Sequence, residues 1–194
     1  MKHGFLKVAA VTPKIKVAEP TYNARIICEH LQSAYEKKAK LIVFPELCIT
    51  GYTCQDLFYQ GTLLEKSMKA LKDVAAFTEG HDSLVFVGLP VRRMQKLYNV
   101  TAVLQDGEIL GMIPKSYLSV QETRWFTSGN EETVGFLLDE EEIPFGTNML
   151  FSCDTMPELM VGCEIGTDMW APQSPSMRHA VAGATVIVNP SAMC

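Results

Sequence analysis

Short apolar runs alternate with longer amphipathic segments along most of the chain. The apolar runs have the length of strands and are closed by proline, glycine or polar residues; they cover 6–11, 39–44, 83–89, 159–165 and 184–188. Segments 20–38 and 63–77 carry apolar residues at helical spacing, and 175–182 predicts a short third helix. Strands that alternate with helices are typical of α/β proteins, in which helices pack on the faces of a sheet.

One hairpin interrupts this alternation. Segments 97–104 and 108–113 read as two strands joined by a turn at Gln105-Asp106-Gly107. The acidic run 139–142 is interpreted as a solvated loop.

Composition narrows the range of functions. A chain of 194 residues fits one domain, which we expect to span 1–194. The net charge of −5, without a basic stripe, argues against a nucleic-acid partner. No apolar run approaches the ~20 residues of a membrane span. The six cysteines form no CxxC pair, so neither zinc nor a disulfide framework is expected, and a cytoplasmic location is the simplest interpretation.

Candidate chemistry lies just past three strand ends. Glu46 follows Pro45 at the end of the second predicted strand, and Lys115 follows the second strand of the hairpin. The strand 159–165 runs into a sharp polar turn. Loops at strand ends are held by rigid elements and commonly carry functional residues.

These segments resemble the nitrilase (carbon–nitrogen hydrolase) superfamily. Within it they are most similar to the glutamine-hydrolysing domains of glutamine-dependent NAD synthetases. The matching motifs occur in order along the chain: Phe44-Pro45-Glu46-Leu47, Gly51-Tyr52-Thr53, Leu97-Tyr98-Asn99-Val100, Ile113-Pro114-Lys115-Ser116-Tyr117-Leu118, Arg124-Trp125-Phe126 and the Glu164-Ile165…Asp168-Met169-Trp170 frame.

The resemblance implies an α-β-β-α sandwich and a mechanism. In such enzymes a cysteine attacks the amide of glutamine and forms a thioester. By this match Glu46 is the general base, Lys115 stabilises the oxyanion, and Glu122 corresponds to a second glutamate that orients the amide. Weaker matches assign substrate contacts to Tyr52, Thr167 and Ser191, and place Trp125 and Trp170 as packing residues near the site.

The resemblance also implies partners. Ammonia would pass to a synthetase domain that binds ATP and the dinucleotide, so we expect no cofactor in this chain. The expected partners are glutamine or a similar amide, and the synthetase domain or further copies of the chain. Because a nitrilase-type domain usually continues well beyond the strand at 184–188, the domain is expected to be incomplete at its C-terminus.

The sequence departs from the family at the nucleophile. Aligned without gaps, Gly166 occupies the position of the cysteine and Thr167 that of the next glutamate. Glycine has no side chain, so no thioester can form. Cys163, which also precedes a glutamate, could replace it only by a three-residue slip, and such a slip turns a strand residue to the opposite face. The loop 118–124, which covers the substrate in the family, is also shorter here.

Three hypotheses therefore stay open. The first is a glutaminase domain of NAD synthetase that is inactive as written. The second is a non-catalytic nitrilase-like protein with a binding or assembly role. The third is a different carbon–nitrogen amidase that uses Cys163.

Overall fold

The computed structural model describes residues 5–192 and combines ten strands with three α-helices in that range. The helices are α1 (Pro20–Glu36), α2 (Gly61–Phe77) and α3 (Pro175–Val181). The strands are β1 (Val8–Ala10), β2 (Leu41–Val43), β3 (Leu84–Arg93), β4 (Lys96–Gln105), β5 (Glu108–Pro114), β6 (Val134–Leu138), β7 (Glu141–Phe145), β8 (Leu150–Cys153), β9 (Met156–Cys163) and β10 (Val186–Val188). Short 3₁₀ helices cover Tyr52–Tyr59, Glu122–Arg124 and Gly166–Trp170.

The strands form two sheets. The larger has the order β1-β2-β3-β4-β5-β7-β6, and the smaller has the order β10-β9-β8. Parallel pairing joins β1 to β2, β2 to β3, β5 to β7 and β9 to β10. The remaining neighbours are antiparallel. In both sheets the parallel strands end at the side where the polar turns lie.

Apolar side chains between the sheets hold the sandwich together. Phe86 and Val103 of the larger sheet pack in one buried cluster with Val161, Cys163 and Val188 of the smaller sheet. A second cluster buries the apolar faces of α1 and α2 against the opposite face of the larger sheet. Burial of this apolar surface is the main stabilising contribution to such a core.

Helix α3 covers the outer face of the smaller sheet. Along β9, Val161 and Cys163 point into the core between the sheets, so Gly162 between them points outward. The His179 ring of α3 lies against Gly162, where a β-carbon would be 2.9 Å from its Cγ. The layers are therefore helix, sheet, sheet, helix, and the expected α-β-β-α fold is confirmed.

The predicted hairpin at 97–113 is confirmed as β4 and β5, but the prediction of a single hairpin is wrong. Antiparallel neighbours β3–β4, β6–β7 and β8–β9 add further ones. The acidic run 139–142 is not all loop, because Glu141 and Glu142 begin β7. Only Ile143 and Phe145 of that strand are buried. Glu141 and Glu142 are exposed strand positions, and their acidic side chains led to the interpretation as a loop.

Two further features bear on the sequence expectations. Within residues 5–192, no helix is both long and apolar enough to cross a bilayer. The five cysteines in that range are all free thiols.

Candidate active site

Glu46 lies in a tight turn directly after β2. The turn follows the sheet, since the Phe44 amide donates a hydrogen bond to the carbonyl of Phe86 at 2.9 Å. It also lies directly on Gly88 of β3. A β-carbon there would be 2.6 Å from the Pro45 carbonyl oxygen and closer still to the Leu47 amide nitrogen. Only glycine at position 88 permits this approach, which brings Glu46 to the sheet edge and leaves it 2% exposed.

Lys115 leaves β5 beside the same edge. Its Nζ donates hydrogen bonds of 2.7 Å to Oε1 of Glu46 and 2.7 Å to Oε1 of Glu122. Its backbone amide donates to the carbonyl of Asn99 on β4 at 2.8 Å. All three charged side chains are almost fully buried, so solvent screens their interactions far less than those of surface pairs.

Glu122 begins the short 3₁₀ helix that follows the lysine loop. Its Oε2 accepts a 2.8 Å hydrogen bond from the Ser119 amide, three residues earlier. Its Oε1 faces Lys115. The loop is short, and it places the second carboxylate against the ammonium.

Gly166 completes the cluster. It follows β9 in a left-handed backbone conformation with φ of +53°, and its amide donates to the Pro190 carbonyl at 2.9 Å. A β-carbon at this residue would lie 2.9 Å from Glu46 Oε2 and 3.1 Å from Lys115 Nζ. The residue aligned with the nucleophile therefore faces both groups that the resemblance assigns to base and oxyanion stabiliser.

Asp168 fastens the Gly166 turn to the lysine loop. Its buried carboxylate accepts hydrogen bonds from the amides of Tyr117 at 2.6 Å, Ile165 at 3.0 Å and Ser116 at 3.2 Å. Burial raises the pKa of Asp168 despite these three donors. One side chain thus fixes the distance between the end of β5 and the turn after β9.

The charges of the cluster affect one another. Burial raises the pKa of Glu46, and the Lys115 ammonium offsets that only in part. Burial acts in the same direction on Glu122, but hydrogen bonds from Lys115 and Ser119 outweigh it and its pKa is lowered. Burial alone would lower the pKa of Lys115, whereas the two carboxylates raise it. Glu46 is therefore the carboxylate better suited to accept a proton near neutral pH, and Glu122 stays ionised.

The weaker sequence matches lie around this cluster, and their substrate roles stay predictions. Tyr52 is half-buried, and burial with the nearby charges of Glu122 and Glu46 raises its pKa. Thr167 donates its hydroxyl to the Tyr117 carbonyl at 3.1 Å. Ser191 lies in the segment after β10, next to Ala192, whose amide donates to Glu46 Oε2 at 3.2 Å.

The two tryptophans behave differently. Trp125 packs edge-on against Phe58 with ring centroids 6.0 Å apart, and its indole nitrogen donates to Asp56 at 2.8 Å. Trp170 does not pack as expected, since it is 71% exposed.

Cys163 is buried away from the mouth of the site. It is 0% exposed and belongs to the apolar cluster between the sheets with Phe86, Val103 and Ile113. Burial, with the nearby charges of Asp168 and Glu164, raises its pKa well above the ordinary value of a thiol. A nucleophilic cysteine needs a reachable thiolate, so the structure does not support Cys163 in that role.

Two residues in the site received no role from the sequence. Asp168 was part of a matched motif, but nothing in its spacing pointed to the lysine loop. Asn99 was also matched, and its signal was a polar amide in the middle of an apolar strand. Among the residues that the structure describes, no group of three or more His, Cys, Asp or Glu could hold a metal ion.

Comparison with known proteins connects this geometry to a family. The carbon–nitrogen hydrolase family model matches residues 7–194. The glutamine-dependent NAD(+) synthetase of Mycobacterium bovis is 36% identical over 194 residues, which cover 97% of this chain and 28% of the relative. The human protein of the same name is 30% identical over 183 residues, covering 87% of this chain and 25% of the relative.

Solved structures agree with the sequence matches. A glutamine-dependent NAD(+) synthetase from Cytophaga hutchinsonii superposes with a TM-score of 0.85 at 28% identity, covering 97% of this chain and 30% of that one. An amidase from Nesterenkonia shares the fold, with a TM-score of 0.75 at 18% identity over 97% of this chain and 65% of its own. The chain therefore spans less than a third of the length of the synthetases that it matches.

Proposed function

The chain belongs to the carbon–nitrogen hydrolase family, and on that premise we propose that it is a glutaminase-type domain of a glutamine-dependent NAD synthetase whose nucleophile position holds Gly166. Its substrate class is a primary carboxamide of the glutamine type. As written, the chain does not hydrolyse that amide through a thioester, because the attacking sulfur is absent.

One observation carries the proposal. The β-carbon position of Gly166 lies 2.9 Å from Glu46 Oε2 and 3.1 Å from Lys115 Nζ. Both contacts are with the tips of flexible side chains, which can move by a few tenths of an ångström to admit a larger residue. A thiol at this position would have a carboxylate beside it to take its proton and an ammonium beside it to polarise a carbonyl.

Each residue of such a site would perform a defined step of amide hydrolysis. Glu46 would take the proton of a thiol at position 166 while the sulfur forms a bond to the amide carbon. Lys115 would stabilise the negative oxygen of the tetrahedral intermediate. As the carbon–nitrogen bond breaks, the proton held by Glu46 passes to the leaving nitrogen and ammonia departs. Water would then attack the thioester and give a proton to Glu46. The carbon–sulfur bond would break, Glu46 would return the proton to the sulfur, and the acid would be released.

With glycine at position 166 the first of these bonds cannot form. Removing the nucleophile of a covalent hydrolase lowers kcat by about 10⁶, and the remaining groups retain about 10³–10⁴ over water. The proposal therefore combines a preserved charge arrangement with little or no turnover.

A non-catalytic binding or assembly role is the second candidate. The observation in its favour is the 3.2 Å hydrogen bond from the Ala192 amide to Glu46 Oε2. This contact satisfies the carboxylate oxygen that faces Gly166, so the segment after β10 closes over the base. A site that stays closed would bind no amide.

The partners follow from the same assignment and are part of the proposal. Ammonia from such a domain would serve a synthetase portion, in line with the name of the glutamine-dependent NAD(+) synthetase relatives. By the resemblance, that portion would bind ATP and the dinucleotide. The cytoplasm would keep the free thiols of the described cysteines reduced.

Covalent trapping tests the proposal. We expect the Gly166→Cys variant to gain the mass of a glutamine-mimicking diazo-ketone, with the label on the peptide that contains position 166. The unaltered chain should stay unlabelled at the site. A label on Cys163 in the unaltered chain would overturn the assignment of the nucleophile position, and an unlabelled, folded Gly166→Cys variant would favour the closed, non-catalytic alternative.

A further inference from the structure

The side-chain amide of Asn99 contacts both carboxylates of the cluster, those of Glu46 and Glu122. It lies on β4, 0% exposed, and its Nδ2 donates to Glu46 Oε1 at 2.6 Å. The same nitrogen lies 3.4 Å from Glu122 Oε1. The amide is thus shared unequally, with the closer contact to Glu46.

The orientation of this amide is fixed by the charges around it. An ionised carboxylate only accepts hydrogen bonds, so it can bind the Nδ2 end of an asparagine and would repel the Oδ1 end. Within residues 5–192 Oδ1 has no hydrogen-bond partner. The side chain therefore leaves its own acceptor unsatisfied in order to direct both N–H groups toward the carboxylates.

The backbone of Asn99 also belongs to the cluster. Its carbonyl accepts the Lys115 amide at 2.8 Å, which fixes where the lysine leaves β5. This contact needs no side chain and would persist in any substitution that keeps the strand. Side-chain variants at position 99 therefore isolate what the amide does.

We propose that Asn99 is a positioning residue, which holds the Glu46 carboxylate in the orientation where Oε1 meets Lys115 and Oε2 faces position 166. This role rests on the proposed function, because the reaction that Asn99 would support is the amide hydrolysis proposed above. The contact itself is a property of the unaltered chain, so it can be tested without turnover.

The amide also favours the ionised form of Glu46, because a donated hydrogen bond stabilises a buried carboxylate. The other charged and titratable groups that face this carboxyl are Lys115 at the end of β5, Glu122 in the 3₁₀ helix, and Tyr52 in the loop after β2. All of them remain in a variant at position 99. A change in the titration of Glu46 in such a variant would therefore come from the amide.

Carbon-13 NMR titration of the glutamate carboxyl groups in the 194-residue chain tests the proposal. We expect Asn99→Leu to move the Glu46 titration to higher pH. Thr101→Val is the matched control. Thr101 is buried on the same strand, two residues further on, and its hydroxyl makes no hydrogen bond to either carboxylate within residues 5–192. We expect it to leave the Glu46 titration unchanged.

Asn99→Asp covers the case in which the leucine variant fails to fold. It has nearly the same shape but brings a third carboxylate, so we expect a melting temperature that falls between pH 5 and pH 8 more steeply than that of the unaltered chain. An unshifted Glu46 titration in Asn99→Leu, an equal shift in Thr101→Val, or an unchanged pH slope in Asn99→Asp would each overturn the positioning role.

Activity separates this proposal from the proposed function. In the Gly166→Cys background we expect Asn99→Leu to lower kcat about 10-fold or more at pH 7, with the pH profile displaced to higher pH. If Gly166→Cys releases no ammonia, the proposed function fails while the NMR result stands by itself. If ammonia is released and Asn99→Leu changes neither kcat nor the pH profile, the positioning role fails alone.

Discussion

The β-carbon position of Gly166, in the turn after a strand of the smaller sheet, faces the carboxylate of Glu46, in the turn after a strand of the larger sheet. Glu46 arrives from the turn after β2, and Gly166 from the turn after β9, yet a β-carbon on the glycine would lie 2.9 Å from Glu46 Oε2. The fold therefore brings a base to a position that carries no side chain.

Removing the ammonium should leave two buried carboxylates without an opposite charge beside them. We expect Lys115→Met to lower the free energy of unfolding by about 3–5 kcal/mol at pH 7. Chemical denaturation measures it. Lys72→Met is the control, because Lys72 pairs with Asp139 on the surface, and such pairs contribute under about 1 kcal/mol.

The stability that Lys115→Met loses should increase as the pH rises. Without the lysine, the folded-state pKa values of the two carboxyl groups rise above the unfolded value of about 4.3. A raised folded pKa gives stability that is present below the unfolded pKa and is lost as the pH rises through the folded pKa. The variant should therefore approach the stability of the unaltered chain near pH 4–5 and diverge from it toward pH 7. An equal deficit at both pH values would contradict the buried pairing.

The approach of the Glu46 turn to Gly88 predicts a steric effect. We expect Gly88→Ala to lower the free energy of unfolding by at least about 2 kcal/mol, because the new methyl group meets backbone atoms that cannot rotate away. Gly61→Ala, at the start of α2, meets only Glu65 Oε1 at 4.0 Å and should be neutral or slightly stabilising. Equal melting temperatures for the two variants would show that the turn does not rest on position 88.

The hydrogen bonds that Asp168 accepts from the lysine loop and from Ile165 should stabilise both segments. We expect Asp168→Ala to cost about 2–4 kcal/mol, since the buried amide of Ile165 and the partly buried amides of Ser116 and Tyr117 lose their acceptor. Hydrogen exchange should accelerate together at Tyr117 and Ile165, which lie on different elements. Asp56→Ala, which removes an exposed carboxylate bound to Arg124, should leave both amides protected.

Cysteine reactivity tests the placement of Cys163. Among the five cysteines of residues 5–192, we expect iodoacetamide to modify Cys153 first in the native chain, because a hydrogen bond from Thr155 lowers its pKa and the residue is partly exposed. Cys163 should react only after unfolding. Peptide mapping by mass spectrometry distinguishes the two, and early modification of Cys163 would contradict its burial between the sheets.

Part of this site could be predicted because an apolar run closed by proline marks the end of a strand in the sequence. Glu46 and Lys115 each follow an apolar run closed by proline, and parallel strands bring such ends to one edge. The gap-free match also placed Gly166 opposite them. The second sheet came from the resemblance, because an alternation of strands and helices does not specify how many sheets form.

Other features depend on contacts that no local pattern encodes. The acidic residues of β7 are exposed, so its sequence is as polar as that of a loop and was interpreted as one. Trp170 was expected to pack near the site, but it is the last residue of its 3₁₀ helix and its side chain is exposed. Asn99 was visible as a polar residue in an apolar strand, but its partners lie 53 and 23 residues away along the chain.

Ammonia release from glutamine by the Gly166→Cys variant is the sharpest test of whether Gly166 occupies the nucleophile position of a preserved site, with Gly166→Ala as the control for the β-carbon alone. Both variants should lose about 1–2 kcal/mol of stability, because L-residues are strained at the left-handed φ of this position. We expect release by Gly166→Cys at least about 100-fold faster than by the unaltered chain or by Gly166→Ala. Equal rates for the unaltered chain and Gly166→Cys, with both folded, would contradict this expectation.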